Sequence, residues 1–336
     1  MLKSTRDVAW LLVAAIGIGF LMSRFVPARF RPASTPTPIA ASPTPFASPT
    51  PPSDDPRVWA QPIVAGCAGD AADAYLVSFG GGIARFDGQF WYLVDDTLRT
   101  LRTVTCVPGL AIAAGDGSRL VRIDPSALTV SPELPLGAED VYAIEALNAG
   151  SIVMAGSALT IRLFVNGHWE QIGGGGADVQ AWRAILMRSA KEIWFAGDDG
   201  SLVLFDGKQF VDRSITKGPQ FTALSPLGSD VLVGAEDGSL YTVSAAAAPH
   251  VVGHAKGAVK ALAPDGTGAY VLADDLTRFG TATPAPRDAD LAANGLSCTV
   301  INMFTNVRGE LWLIARDGGR AGVARYDGVW TKWGHC

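Results

Sequence analysis

Charge is scarce in this chain: only 18% of its 336 residues are Asp, Glu, Lys or Arg, against about a quarter in an ordinary soluble protein. The 27 basic and 32 acidic residues leave a net charge of −5, so the basic footprint that nucleic acid requires is missing and no nucleic-acid partner is expected. Histidine is rarer still, with four in all, His168, His250, His254 and His335. There is no Cys-x-x-Cys, and His250 and His254 are four apart in a segment that reads as strand and loop, so neither metal nor cofactor is expected. A Gly-x-Ser-x-Gly elbow, a phosphate loop and a dinucleotide fingerprint are all absent, and the glycine run Gly173–Gly176 has neither a lysine nor a helix after it. The 38 glycines and 21 prolines argue against a coiled coil or helical bundle, while a 48% hydrophobic content argues against a disordered chain.

One uncharged apolar run stands out, the 16 residues from Val8 to Ser23 between Asp7 and Arg24. As a helix it would measure roughly 24 Å, close to a bilayer core once Trp10 and Phe25 sit at the interfaces and Arg24 snorkels. No Ala-x-Ala-like site follows, so an uncleaved signal-anchor within residues 1–31 is expected, with the membrane as its partner. Residues 32–56 carry nine prolines and eight Ser or Thr in 25 positions. Such a tract lacks both the amide donors for a helix and the apolar groups for a core, and reads as a stalk of about 75–80 Å. Lys3 and Arg6 on one flank of the apolar run and Arg24, Arg29 and Arg31 on the other leave the positive-inside rule undecided. The stalk and the even set of four cysteines place the remainder, residues 57–336, outside the cytoplasm, in the periplasm or on the cell surface.

That remainder is a repeat. A short apolar strand ends in a Gly- or Asp-rich turn, a second ends in aromatic-Asp-Gly, and an aromatic strand follows, clearest in EIWFAGDDGSLVLFDGKQF (192–210) and ELWLIARDGGRAGVARYDGVWTKW (310–333). The first turn of each copy falls at Gly81, Gly117, Ser157, Gly200, Gly238, Asp275 and Gly318, at intervals of 36, 40, 43, 38, 37 and 43 residues. Asp-Gly between two apolar runs is a strong hairpin signal, because the turn needs positive φ at both central residues. Seven copies of about forty residues, each with room for four strands, predict an all-β, seven-bladed propeller of four-stranded antiparallel blades, preceded by the N-terminal transmembrane helix. Over about 275 residues the repeat resembles those of the WD-repeat/YVTN-like propellers of bacterial membrane-anchored, extracytoplasmic proteins, without the Trp-Asp of true WD repeats. The turn FDGQFW (86–91) is also similar to the Asp-box of sialidase-like propellers, but Asp87 and Gly88 are adjacent where that box separates them.

Residues that recur in register are expected to serve the architecture: the aromatics Tyr75, Trp194 and Trp312, the outer Phe90, Trp169 and Trp330, and the arginines Arg85, Arg122, Arg278 and Arg325. Cys67 and Cys106 are 39 residues apart and Cys298 and Cys336 are 38 apart, so each pair could join adjacent sheets or the two ends of one blade. Of the three pairings that four cysteines allow, the neighbouring one is favoured. The strand count leaves no strand to exchange between first and last blade, and disulfides would compensate at that seam. Aspartates at the blade turns, Asp116, Asp199, Asp237, Asp275 and Asp317 among them, fall on one face. Turn chemistry accounts for them, and an acidic rim that draws a ligand or a basic partner is the functional alternative. With no nucleophile–base constellation in sight, the expected function is a non-catalytic scaffold that binds a protein or a glycan at one rim. The alternative is a glycan hydrolase or lyase built from loop carboxylates.

Overall fold

The computed structural model describes residues 54–70, 72–96, 99–125, 129–132, 136–174, 180–281 and 297–336. The expected membrane span (8–23) and nearly all of the stalk lie outside these residues. Among the described residues no helix is long and apolar enough to cross a membrane.

Seven antiparallel sheets follow one another along the chain, at 63–95, 101–132, 141–173, 182–212, 221–254, 261–279 and 299–334. We number them blades 1 to 7. Each is a plain meander running from an inner strand outwards; six have four strands, and blade 6 shows three among the described residues. The inner strands are Ile63–Asp70, Leu101–Val107, Val141–Asn148, Trp182–Ser189, Phe221–Leu227, Ala261–Asp265 and Thr299–Thr305.

Burial explains why the second strand of each copy was the easiest to read. It is sandwiched between the neighbouring sheets on both faces, so its residues form a continuous apolar run, as in LAIAAG, SIVMAG, EIWFAG and DVLVGA, and are buried one after another. The outer strands face water; that of blade 3, HWEQIG, has no fully buried residue. Seven clusters of buried side chains fill the spaces between adjacent sheets, one for each interface, and the last joins blade 7 to blade 1. The ring is therefore closed. Tyr75, Trp194 and Trp312, expected to be architectural, are at most 1% exposed and belong to these clusters. The recurring arginines are structural too: Arg85 donates to Asp73 and to the Tyr92 hydroxyl, Arg278 pairs with Asp265 across Tyr270, and Arg122 lies 4.9 Å from the ring centre of Phe164.

Blades 1 and 7 are each made of four consecutive strands, so no strand is shared across the closure. Aromatic side chains hold it instead. Trp312 of blade 7 meets Trp91 edge-on at 6.1 Å and Phe86 at 5.6 Å, and Trp333 meets Phe86 at 4.9 Å. On the inner side, the Asn302 amide of blade 7 donates to the Val64 carbonyl of blade 1. A clip precedes blade 1: a single helical turn, α1 (Pro56–Trp59), begins with Asp55 accepting from the Arg57 amide and with proline in the first turn. Val58 and Trp59 enter the same cluster, Trp59 lies 6.1 Å from Trp91, and the Asp55 amide donates to the Trp91 carbonyl. Gly334 of blade 7 approaches Trp59 so closely that an added Cβ would lie 2.8 Å from the indole, at a φ of +95°.

The two disulfides form as the favoured pairing has it, and one of each expected kind occurs. Cys67–Cys106 ties the inner strands of blades 1 and 2, and Cys298–Cys336 ties the carboxyl terminus to the start of blade 7. Loops of 39 and 38 residues correspond in the chain-entropy model to about 4 kcal/mol each. Truncation at the seam tests the closure. Trp59→Ala should cost about 3–5 kcal/mol, read as a lower urea midpoint, with amide exchange accelerated in blades 1 and 7 before blades 3 to 5.

Candidate functional site

The inner strands share one irregularity. In blades 1, 2, 3, 4, 5 and 7 the register with the second strand slips by one residue at the same place, leaving Val64, Arg102, Tyr142, Arg183, Thr222 and Ile301 as the extra residue. Lys260 stands at the corresponding position, immediately before the inner strand of blade 6, with its amide bonded to Leu272. A β-bulge bends the strand and re-aims the side chain it displaces. Here the displaced positions form a ring around the axis, of which Tyr142, Arg183 and Thr222, with Lys260, line one end of the central channel, while Val64 and Ile301 pack against the clusters between sheets. The bulge also presses the preceding carbonyl against the second strand. At Gly115, Gly156 and Gly197 a Cβ would stand only 2.0, 1.8 and 2.2 Å from that oxygen, which is why glycine ends those strands.

The channel has a volume of about 350 Å³ and takes lining residues from all seven inner strands. Below the displaced ring come small side chains, Ala65, Thr103, Ala143, Ala184, Ala223 and Ala261, so much of the wall is backbone at the free edges of the inner strands. Its chemistry is concentrated at the mouth. Arg102 lies 5.1 Å and Arg183 4.8 Å from the ring centre of Tyr142, which is held between two guanidinium groups. Arg102 also lies 5.5 Å from the ring centre of Phe79 in blade 1. Acids fix both arginines: Asp116 hydrogen-bonds Arg102, Asp140 approaches it at 3.8 Å, and Asp198 accepts from Arg183 at 2.8 and 3.1 Å. The bond to Asp198, with Tyr142 and Glu236 also near, holds the Arg183 guanidinium more firmly in its charged form.

Deeper in the channel is Glu145, on the inner strand of blade 3. It is half-buried, and desolvation alone pushes its carboxyl up to about 7.

The turns between second and third strands carry the five aspartates singled out in the sequence, and they meet different fates. Asp116 joins the mouth through Arg102. Asp199 accepts from the Gln180 side chain, and Asp237 accepts from the Ser239 amide within its own turn. Asp275 contributes its backbone carbonyl to the Ala273 amide, and Asp317 pairs with Arg320 on the surface. These four stay on the rim. The acids that do reach the mouth beside Asp116 are Asp140 and Asp198, and the cations they hold were not singled out. A signal for them was present: Arg102, Tyr142, Arg183, Thr222 and Lys260 follow one another at 40, 41, 39 and 38 residues, the same period as the turns. Among the described residues no group of three His, Cys, Asp or Glu side chains is placed to hold a metal ion.

No family model matches the chain, and no curated protein matches it in sequence. Solved structures do match in fold. A structure of "YCF48 bound to D1 peptide" superposes with a TM-score of 0.63 over 80% of this chain and 92% of that one, at 12% identity. The β-propeller domain of Myceliophteria thermophila Cps50 (Swd1) gives 0.61 over 80% of this chain and 96% of that one, again at 12% identity. The chain is a seven-bladed β-propeller, and these structures share its fold.

The raised carboxyl of Glu145 gives a pH test. The folded state holds its proton more tightly than the unfolded chain, so between the unfolded value near 4.3 and about 7 this group makes the fold lose stability as pH rises. Glu145→Gln should melt with the parent protein below about pH 4 and a few degrees above it at about pH 8, as followed by calorimetry across that range.

Proposed function

We propose that this protein is a non-catalytic binding scaffold that receives a partner protein at the channel mouth, on the face formed by the turns between second and third strands. The observation that carries the reading is the displaced ring. Bulges at one register bring an aromatic and two acid-anchored arginines to one opening, and Lys260 stands at the corresponding position of blade 6, where the fold alone would be satisfied by small apolar residues. The similarity to two propellers, one of them solved with a bound peptide, supports a polypeptide as the partner. In this reading Asp199, Asp237, Asp275 and Asp317 form an outer acidic rim that steers the approach, and Asp116 belongs to the mouth itself.

Location is part of the proposal. Residues 8–23 anchor the chain in a membrane, residues 32–56 hold the propeller away from it, and the propeller works outside the cytoplasm. The two disulfides support an oxidising compartment. A second reading, a hydrolase or lyase acting on a surface glycan, draws on Asp116 and Asp140 standing at one arginine. It is weaker, because both carboxylates accept from structural donors, Asp116 from Arg102 and Asp140 from the Gly117 amide.

Site-specific photo-crosslinking tests the face. A crosslinker at Lys217, in the loop from blade 4 to blade 5, should yield discrete partner adducts, and one at Lys191, between the first and second strands of blade 4, should not. The adducts from position 217 should fall at least fivefold in an Arg102→Ala/Arg183→Ala variant, an effect of about 1 kcal/mol or more. Equal adducts from both positions, or hydrolysis of a glycan by a protein that captures no partner, would displace the scaffold reading. The location is read separately: a reporter active only outside the cytoplasm, fused after Cys336, should be active.

A further inference from the structure

The mouth is an incomplete stack. Starting in blade 1, an aromatic ring and a cation alternate around the opening: Phe79, then Arg102 of blade 2, Tyr142 of blade 3 and Arg183 of blade 4. In this series each guanidinium but the last lies over two rings. Arg102 has Phe79 at 5.5 Å and Tyr142 at 5.1 Å, whereas Arg183 has Tyr142 at 4.8 Å and no second ring among the described residues. The next displaced residue, in blade 5, is Thr222. It is small, and its hydroxyl lies 2.6 Å from the Val259 carbonyl, to which it donates. Beyond it the exposed Lys260 of blade 6 supplies another cation. The order around the mouth is therefore ring, cation, ring, cation, vacancy, cation. Tyr142, Arg183, Thr222 and Lys260 all line the same cavity of about 350 Å³, within the range of small-ligand sites.

The charges around the vacancy favour the same filling. Arg183 is held on its edge by Asp198, with Glu236 near, so its charge is balanced while the stacking surface of the guanidinium is left to a flat partner. A carboxylate arriving there would meet Asp198 and Glu236, and an ammonium would meet Arg183 and Lys260. A ring needs neither charge, and its negative face suits a cation on each side.

We infer that the position between Arg183 and Lys260, over Thr222, is the seat of an aromatic side chain carried by a partner polypeptide. The inference rests on the reading of this face as a protein-binding surface and names the residue type it selects.

The test uses the full chain with N-acetyl-tyrosine amide and N-acetyl-leucine amide as probes, followed by the NMR signals of the Arg183 side-chain Nε–H and the Tyr142 ring. The tyrosine amide should give saturable shifts at millimolar concentration and bind about three- to tenfold more tightly than the leucine amide. Arg183→Lys, which keeps the charge and removes the flat surface, should abolish that preference. Thr222→Trp, which places a ring in the vacancy from within, should abolish tyrosine amide binding and leave the melting temperature at or above that of the parent. The inference is overturned if the two amides bind equally, if neither binds, or if Thr222→Trp binds the tyrosine amide as the parent does. Should it fall while adducts from position 217 persist, the scaffold reading stands and only the choice of side chain is lost.

Discussion

Closure of the ring without an exchanged strand is the constraint on which the rest of this structure depends. A propeller whose first and last sheets each consist of consecutive strands has no backbone ladder across its final interface. Burial of large side chains must do there what hydrogen bonds and burial share in folds that swap a strand. The concentration of aromatics at that one place follows: Trp59, Trp91, Trp312, Trp333, Phe86 and Phe304 meet at the seam, while each of the other interfaces has one to three rings among its aliphatic residues. The disulfides add reinforcement on either side of it, one between blades 1 and 2 and one within blade 7.

A closed ring in turn decides what the channel can be. Seven inner strands present their unpaired edges to a common axis, so the wall is polar whatever the side chains are, and an apolar plug would leave those groups without partners. The bulge breaks this uniform wall at a single level. It lets blades 2 to 5 each contribute one side chain of any chemistry to the mouth without disturbing the sheet packing behind it. Architecture and site are thereby separated: the second strands carry the core, and the displaced positions are free to carry recognition.

The same separation explains how much the sequence disclosed. Blade number, strand order and the architectural role of Trp194 and Trp312 were all legible, because each rests on a physical demand repeated at every copy: an apolar run for a doubly covered strand, Asp-Gly for a tight turn. The mouth was not, because its demand is on register and not on residue type. Val64, Arg102, Tyr142, Arg183, Thr222, Lys260 and Ile301 share no chemistry, so a search for recurring residues passes over them. The aspartates drew attention for the opposite reason: turn geometry makes them recur whether or not they meet a ligand, and Asp237, caught in its own turn, shows it. Asp198 and Asp199 are neighbours in sequence, yet only Asp198 reaches Arg183, a distinction set by a positive φ of 55° at Asp199 that no pattern of residue types expresses.

The clip that begins at Asp54 has a mechanical side. Tension applied along the upstream chain reaches the propeller at this point, where the Asp55–Trp91 backbone bond and the wedged indole of Trp59 are the first elements to bear load. Those same elements bridge the one interface between blades that are not consecutive in the chain. Pulling on the amino-terminal side therefore loads this joint of the ring before any blade is sheared, and the order in which elements take up load is built into the route by which the chain enters the fold.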